Sequence, residues 1–262
     1  WYCVFREGQK HVSPDGALRV LSSEDGRKWK SLALLQREGD DLRDAKISVT
    51  PDGRLMLNGA AMRANEEVRY RSLAWFSDDR GKTWSDGVQI GDPGFWLWRV
   101  QWHEGQAYSF GYLTDRDREK RFLRLYTSDN GRKFRTHVAQ VDGVRGVGED
   151  KILFRDDGSA LCLLRHETGT KGAYLGKSQP PYAEWQWTDL GVRVGGPDMI
   201  ELPDGRIIAV TRLYQPQQRT SLSQLDPDAN TLTELVALPS GGDTSYAGLV
   251  LHDGLLWISY YS

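Results

Sequence analysis

Apolar residues along this chain come in short runs, each interrupted by an acidic residue followed by glycine and then resumed. The pattern is clearest in KISVTPDGRLMLNGA (46–60), VQWHEGQAYSFGY (100–112), ILFRDDGSALCLLR (152–165), MIELPDGRIIAVTR (199–212) and LVLHDGLLWISYY (249–261). Runs of this length, rich in β-branched and aromatic residues and broken by Asp-Gly or Glu-Gly, predict β-hairpins. The turn glycines Gly53, Gly105, Gly158, Gly205 and Gly254 recur every 47 to 53 residues. A second pattern, Ser/Thr-x-acid-x-Gly-x-x-aromatic, falls between the hairpins. It occurs as SSEDGRKW (22–29), SDDRGKTW (77–84) and TSDNGRKF (127–134), starting at Ser22, Ser77 and Thr127. Degraded copies are read at SQPPYAEW (178–185) and SQLDPDAN (223–230).

Two patterns that share one period and keep a fixed phase predict a repeated four-strand unit of about 50 residues, the signature of a β-propeller blade. The expected fold is therefore all-β, a β-propeller forming a single domain over residues 1–262. WYCVFREG at the start and LLWISYYS at the end both read as second strands of a unit. This favours six blades with truncated terminal blades, with five blades as the alternative.

The phase of the repeat places particular side chains together. The position three before each inner strand's first apolar residue holds Asp44, Arg99, Glu149, Pro197 and Tyr246. The position seven after each turn glycine holds Ala60, Tyr112, Arg165, Arg212 and Tyr261, and Arg6 takes it in the first unit. Antiparallel pairing brings the start of one strand and the end of the next to the same rim. That rim collects Asp44, Arg99, Glu149, Tyr246, Arg6, Arg165 and Arg212. Arginine forks suit a carboxylate through paired, charge-assisted hydrogen bonds, so a polar, anionic ligand is expected there.

Composition narrows the function classes. The 262 residues carry 34 Lys and Arg against 36 Asp and Glu, a net charge of −2, which speaks against a nucleic-acid partner. No apolar run approaches ~18 residues, so no membrane span is expected, and the chain shows no signal peptide. Cys3 and Cys162 lie on different units and are expected as thiols. The histidines His11, His103, His137, His166 and His252 show no ligand spacing, so neither a metal nor another cofactor is predicted. DRDREKR (115–121) alternates in sign and reads as a solvated loop. Trp96 and Trp98 beside Arg99 read equally as packing or as a sugar-stacking platform.

SxDxGxxW is the Asp-box, and SDDRGKTW matches it fully. With the hairpin period, the chain resembles the sialidase (neuraminidase) superfamily of six-bladed propeller glycoside hydrolases. The resemblance implies that the boxes are structural, with Trp29, Trp84 and Phe134 packing inward. It also implies a retaining exo-glycosidase that releases a terminal sialic acid or related acidic sugar. Family members carry a Glu at an inner-strand start and an Arg sixteen residues later, matched here by Glu149 and Arg165 in GEDKILFRDDGSALCLLR. A further carboxylate-binding Arg is matched by Arg219 in QQRTSLSQL, and the Tyr nucleophile by Tyr246 in TSYAGLVL. The acid/base Asp is matched, most loosely, by Asp15 in the loop before the first box. The family's third carboxylate-binding arginine has no match, and Arg6 or Arg212 could take its place. Asp44 and Arg99 have no counterpart among the family's catalytic positions and are carried as substrate-binding candidates. The resemblance further implies a carbohydrate partner such as a sialoglycoconjugate, a monomer, and a secreted or periplasmic location. The alternatives are a catalytically silent propeller that binds acidic glycans and one that binds a protein partner.

Overall fold

The computed structural model describes every residue of the chain except Asn65. Apart from a single 3-10 turn at Arg118–Lys120, the described regular structure is all strand. It forms two compact units, residues 1–115 with 124–139, and residues 116–123 with 140–262.

The first unit holds three sheets. β1 (Tyr2–Glu7), β2 (Ala17–Ser22) and β3 (Lys30–Leu35) form the first. β4 (Asp41–Val49), β5 (Leu55–Met62), β6 (Tyr70–Ser77) and β7 (Val88–Ile90) form the second. The third contains β8 (Phe95–Leu97), β9 (Gln101–His103), β10 (Gln106–Leu113), β11 (Leu123–Ser128) and β12 (Arg135–Val138), with β8 and β9 both paired to β10. In the second unit, β13 (Val147–Phe154), β14 (Ala160–His166), β15 (Tyr174–Ser178) and β16 (Gln186–Asp189) make one four-stranded meander. β17 (Val194–Glu201), β18 (Ile207–Leu213), β19 (Arg219–Asp226) and β20 (Thr231–Ala237) make another, and β21 (Ser245–His252) pairs with β22 (Leu255–Tyr261). The fold is a β-propeller. Five sheets have three or more strands and count as blades, the number the sequence offers as its alternative; the β21–β22 hairpin is a sixth, two-stranded sheet.

All five predicted hairpins are present, and their turn glycines sit at φ between +71° and +82°, where a side chain would be strained. Burial falls from the inner to the outer strands. Five successive residues of β14, Ala160–Leu164, are buried, whereas β16 and β20 are mostly exposed. β14 is therefore continuously apolar because both of its faces are covered. Between the sheets of the second unit, Leu161, Leu163 and Leu175 pack with Met199, Ile207 and Leu225. Each such leucine is worth about 1.5–3 kcal/mol of burial.

The inner strands share a second device. Opposite Gly59, strand β4 carries two residues, Asp44 and Ala45. Opposite Arg165, β13 carries Gly148 and Glu149. Opposite Thr211, β17 carries Gly196 and Pro197; opposite Tyr260, β21 carries Ala247 and Tyr246. Between β8 and β9, Trp98, Arg99 and Val100 stand opposite Ser109 and Phe110. Each inner strand thus holds one extra residue at the same point. Such a bulge twists the strand and re-aims the side chain it carries. The positions picked out by repeat phase, Asp44, Arg99, Glu149, Pro197 and Tyr246, all lie in these bulges.

The Asp-boxes are capped turns, with a correction to their register. Asp25 Oδ1 accepts from Arg27 N and Lys28 N, both at 2.8 Å, and Ser23 Oγ accepts from Gly26 N at 2.9 Å. Ser128 and Asn130 play the same parts in the third box. The working hydroxyls are therefore Ser23 and Ser128, not Ser22 and Thr127, because these two boxes are one residue shorter than the Ser77–Trp84 box. In the boxes and in the degraded copy the Trp indole donates to the carbonyl three residues back: Trp29 to Gly26, Trp84 to Gly81 and Trp185 to Tyr182. Tyr182 takes the glycine's place, at φ +65°. Trp84 is partly buried, but Trp29 is 40% exposed, so its packing role is only partial.

Candidate active site

In the second unit β13 packs beside β17, and β17 beside β21, so three bulges lie on neighbouring strands. The bulge in β13 sets Glu149 opposite Arg165 on β14. Glu149 Oε1 accepts from Arg165 Nη1 at 2.7 Å and from Tyr246 Oη at 2.8 Å. Its Oε2 accepts from the backbone N–H of Gly196, in the bulge of β17, at 2.5 Å. Glu149 is only 6% exposed. Burial alone would push its carboxyl up, but the charge and hydrogen bond of Arg165, with the Gly196 and Tyr246 donors, outweigh it and hold the carboxyl below its usual range.

The arginine is anchored in turn. Arg165 Nε pairs with Glu167, whose other oxygen accepts from Arg118 Nη1 at 2.7 Å. Burial works against the Arg165 charge, yet Glu149 and Glu167 together raise its pKa, so the guanidinium is permanently charged. Glu167 was not picked out in the sequence, and Arg118 was read only as part of the solvated run DRDREKR (115–121), although it pairs with this buried acid. The signal available for Glu167 was its spacing of two from Arg165, one residue past the end of β14.

Tyr246 sits on strained backbone. Ser245 and Tyr246 have φ of +131° and +53°, a conformation that costs of order 1–3 kcal/mol per residue and tends to persist at working sites. Its ring stacks on Tyr261 with centroids 5.8 Å apart, and the Arg212 guanidinium lies 5.4 Å from its centre. Arg212, on β18, donates from Nε to Thr244 O at 2.6 Å and from Nη2 to Tyr261 Oη at 2.9 Å. Gly196 leaves no room for a side chain: a Cβ there would stand 2.7 Å from Tyr246 Cδ1 and 3.0 Å from Ser245 Oγ, at φ +55°. Gly196→Ala is therefore expected to push the tyrosine off Glu149. A displacement near 1 Å would cost about a hundredfold in turnover, with a modest loss of thermal stability, checked by assay and unfolding on one sample.

Arg219 does not join this group. Its guanidinium donates to Glu234 Oε1 at 2.8 Å and Oε2 at 2.5 Å, and to the carbonyls of Gln215 and Gln217. The arginine beside Tyr246 is Arg212.

No family model matches the sequence, and no curated protein matches it either. Solved structures do match. A protein of unknown function from Dyadobacter fermentans has a TM-score of 0.84 at 17% identity, over 99% of this chain and 86% of that one. The Trypanosoma rangeli sialidase has a TM-score of 0.72 at 11% identity, over 98% of this chain and 50% of that one. An endo-arabinase from Bacteroides thetaiotaomicron has a TM-score of 0.62 at 19% identity, over 84% of this chain and 89% of that one. The fold is one that glycoside hydrolases use. This chain spans about half the length of the sialidase it matches.

The first unit holds the other candidates. Asp15 lies in the loop between β1 and β2, where it accepts from the Ser13 hydroxyl and, at 3.3 Å, from Gln9 N. The Ser13 bond, opposed by slight desolvation and helped by Gln9, keeps its carboxyl below the usual range. Arg6 is held by Asp41, with Nη2 at 2.7 Å from Oδ1, and Asp41 Oδ2 accepts from Arg43 Nε at 2.9 Å and Ser13 N at 3.2 Å. Asp41 and Arg43 complete a buried ion cluster that the repeat phase missed. Asp44 takes φ +54° in its bulge, and its carbonyl accepts from Lys46 Nζ at 2.9 Å. Arg99 is buried, and its carbonyl accepts from Ser109 Oγ at 2.7 Å. Trp96 and Trp98 are buried, with Trp96 stacked on Tyr112 at 6.0 Å, which favours packing over a sugar platform. Neither cysteine is bridged; Cys162 is buried and Cys3 partly so. Among the described residues no group of three or more His, Cys, Asp or Glu is placed to hold a metal ion, and no helix is long and apolar enough to cross a membrane.

Proposed function

We infer that the protein is a retaining glycoside hydrolase of the sialidase type. The observation that carries this reading is the bond from Tyr246 Oη to a buried, ionised Glu149. A sialic acid bears a carboxylate on its anomeric carbon. A carboxylate nucleophile would be repelled by it, whereas a neutral tyrosine is not, and the sialidase Tyr is a recognised exception to the two-carboxylate scheme. A phenol near pKa ~10 needs a base to become a nucleophile, and Glu149 is in place to be one.

In this scheme the Tyr246 Oη proton passes to Glu149 as Oη bonds to the anomeric carbon. The glycosidic C–O bond breaks, and the leaving oxygen takes a proton from a general acid, the role that the resemblance gives to Asp15. The same acid, now ionised, then removes a proton from water, whose oxygen displaces Tyr246 from the anomeric carbon, and Glu149 returns the proton to the tyrosine. Arg212 and the Arg165 Nη2 group, which makes no hydrogen bond among the described residues, are assigned to the sugar carboxylate. Arg6, Asp44 and Arg99 remain candidates for other sugar contacts. The loop favours the ionised form of Asp15, so its acid role requires that bound substrate desolvate it and raise its pKa. The likeness to sialidases and other glycoside hydrolases supports the broader class.

Hydrolysis of a fluorogenic sialoside tests the reading, with release of the fluorophore expected. Glycan binding without release would favour a catalytically silent, glycan-binding propeller.

A further inference from the structure

We propose that Asp243 is a displaceable occupant of the anion site at Arg212, a built-in stand-in for a ligand carboxylate. The inference rests on reading Arg212 as a carboxylate anchor of the proposed site and adds the group that competes for it.

The two arginines of the second unit are held in different ways. Arg165 is tied to Glu149 and Glu167, both only 6% exposed. Separating those charges would leave them buried and unpaired, so Arg165 keeps its partners. Arg212 makes two hydrogen bonds that do not involve an acid, from Nε to the Thr244 carbonyl at 2.6 Å and from Nη2 to Tyr261 Oη at 2.9 Å. The same Nη2 also forms an ion pair with Asp243 Oδ1 at 2.9 Å, and Asp243 Oδ2 accepts from Tyr261 Oη at 3.0 Å. The guanidinium charge thus faces one oxygen of the carboxylate, and a phenol O–H binds the other. Arg212 Nη1 makes no hydrogen bond among the described residues.

Asp243 differs from Glu149 and Glu167 in exposure: its side chain is 63% exposed while that of Arg212 is 10%. The pair is therefore wet on the acid's side, and such pairs are weak and readily exchanged. The acid also stands beside open space. Gly241 and Gly242 precede it, Gly242 has φ +101°, and nothing lies within 4 Å of the Cβ position of Gly242. Besides the Arg212 and Tyr261 contacts, a long 3.5 Å approach from Gln218 Nε2 meets the carboxylate, and the same amide donates to Gly242 O at 3.1 Å. A ligand carboxylate offers Arg212 and Tyr261 the same two acceptor oxygens. Asp243 must then leave, both to vacate those donors and to remove a like charge.

Removing the Asp243 charge should therefore tighten binding of acids and leave neutral sugars alone. Titration calorimetry on the full chain would compare wild type, Asp243→Asn and Asp243→Glu, using N-acetylneuraminic acid, galacturonic acid and galactose as probes. Asp243→Asn is expected to bind both acids roughly two- to fivefold more tightly, the span set by a solvent-exposed ion pair. Galactose should be unaffected, and Asp243→Glu should keep the wild-type affinities. Unchanged or weaker acid binding in Asp243→Asn overturns the proposal. So does an equal gain for galactose, or no acid binding to any of the three proteins. Tighter galacturonate binding without sialoside hydrolysis would sink the sialidase reading and leave this one standing.

Discussion

Tyr246→Phe is expected to lower sialoside hydrolysis by about three orders of magnitude or more, while the unfolding midpoint drops by only about 2–4 °C. The substitution removes one oxygen. The lost bond to Glu149 is worth about 0.5–1.5 kcal/mol, and Oε1 still accepts from Arg165 Nη1 at 2.7 Å, so the carboxylate is not orphaned. The ring keeps its stacking on Tyr261. Chemistry, in contrast, loses the atom that would bond to the anomeric carbon. A purely structural tyrosine would give the opposite profile, with little change in rate beyond that explained by stability. Full turnover in the variant, measured alongside its melting curve, would remove Tyr246 from the nucleophile role.

Glu149→Gln should be damaging in both respects. The carboxylate accepts on both oxygens, from Arg165 and Tyr246 on one and from Gly196 N on the other. A glutamine amide must turn its NH2 toward one of these donors, whichever way it is flipped. The substitution also strips Arg165 of one of its two buried counter-charges. Breaking such a pair costs about 3–5 kcal/mol, and in the proposed mechanism losing the base costs a further hundredfold or more in rate. The stability effect has a pH signature. Because the folded protein holds the Glu149 carboxyl below its ordinary value, its contribution is complete above the unfolded pKa, near 4.5. It is then lost as pH falls through the depressed folded value. Urea unfolding of wild type and variant should show a gap at pH 7 that narrows below about pH 4.5. A gap that stays constant to pH 3 would mean that the ionised carboxylate is not what stabilises this cluster.

The repeat was legible because propeller blades repeat their turn chemistry: each acid-glycine pair marked a hairpin, and each hairpin formed. Counting from those turns also reached Glu149, Arg165, Arg212 and Tyr246, which the structure groups within the second unit. Two kinds of error had the same root. A one-residue insertion is nearly invisible in an apolar pattern, so the boxes starting at Ser23 and Ser128 were read one position early. The bulges likewise went unseen, although they aim Glu149 and Tyr246. Gly195-Gly196-Pro197 inside a strand was the cue for the third of them, since glycine within a strand signals a bulge or a close approach. Arg212 was reached by repeat spacing and Arg219 by the family resemblance, and neither route carries information about side-chain partners. Glu234, fifteen residues further on, claims Arg219, and only pairing of β19 with β20 reveals it.

The separation between bulges and turns has a practical consequence. In β13 the bulge holds Glu149 and the hairpin tip lies at Gly158, with roughly 17 Å of regular strand between them. The tips at Gly158, Gly205 and Gly254 are thus natural attachment points. A dye, an affinity handle or an inserted domain could be spliced there, and the remote ends of the same strands would keep their alignment.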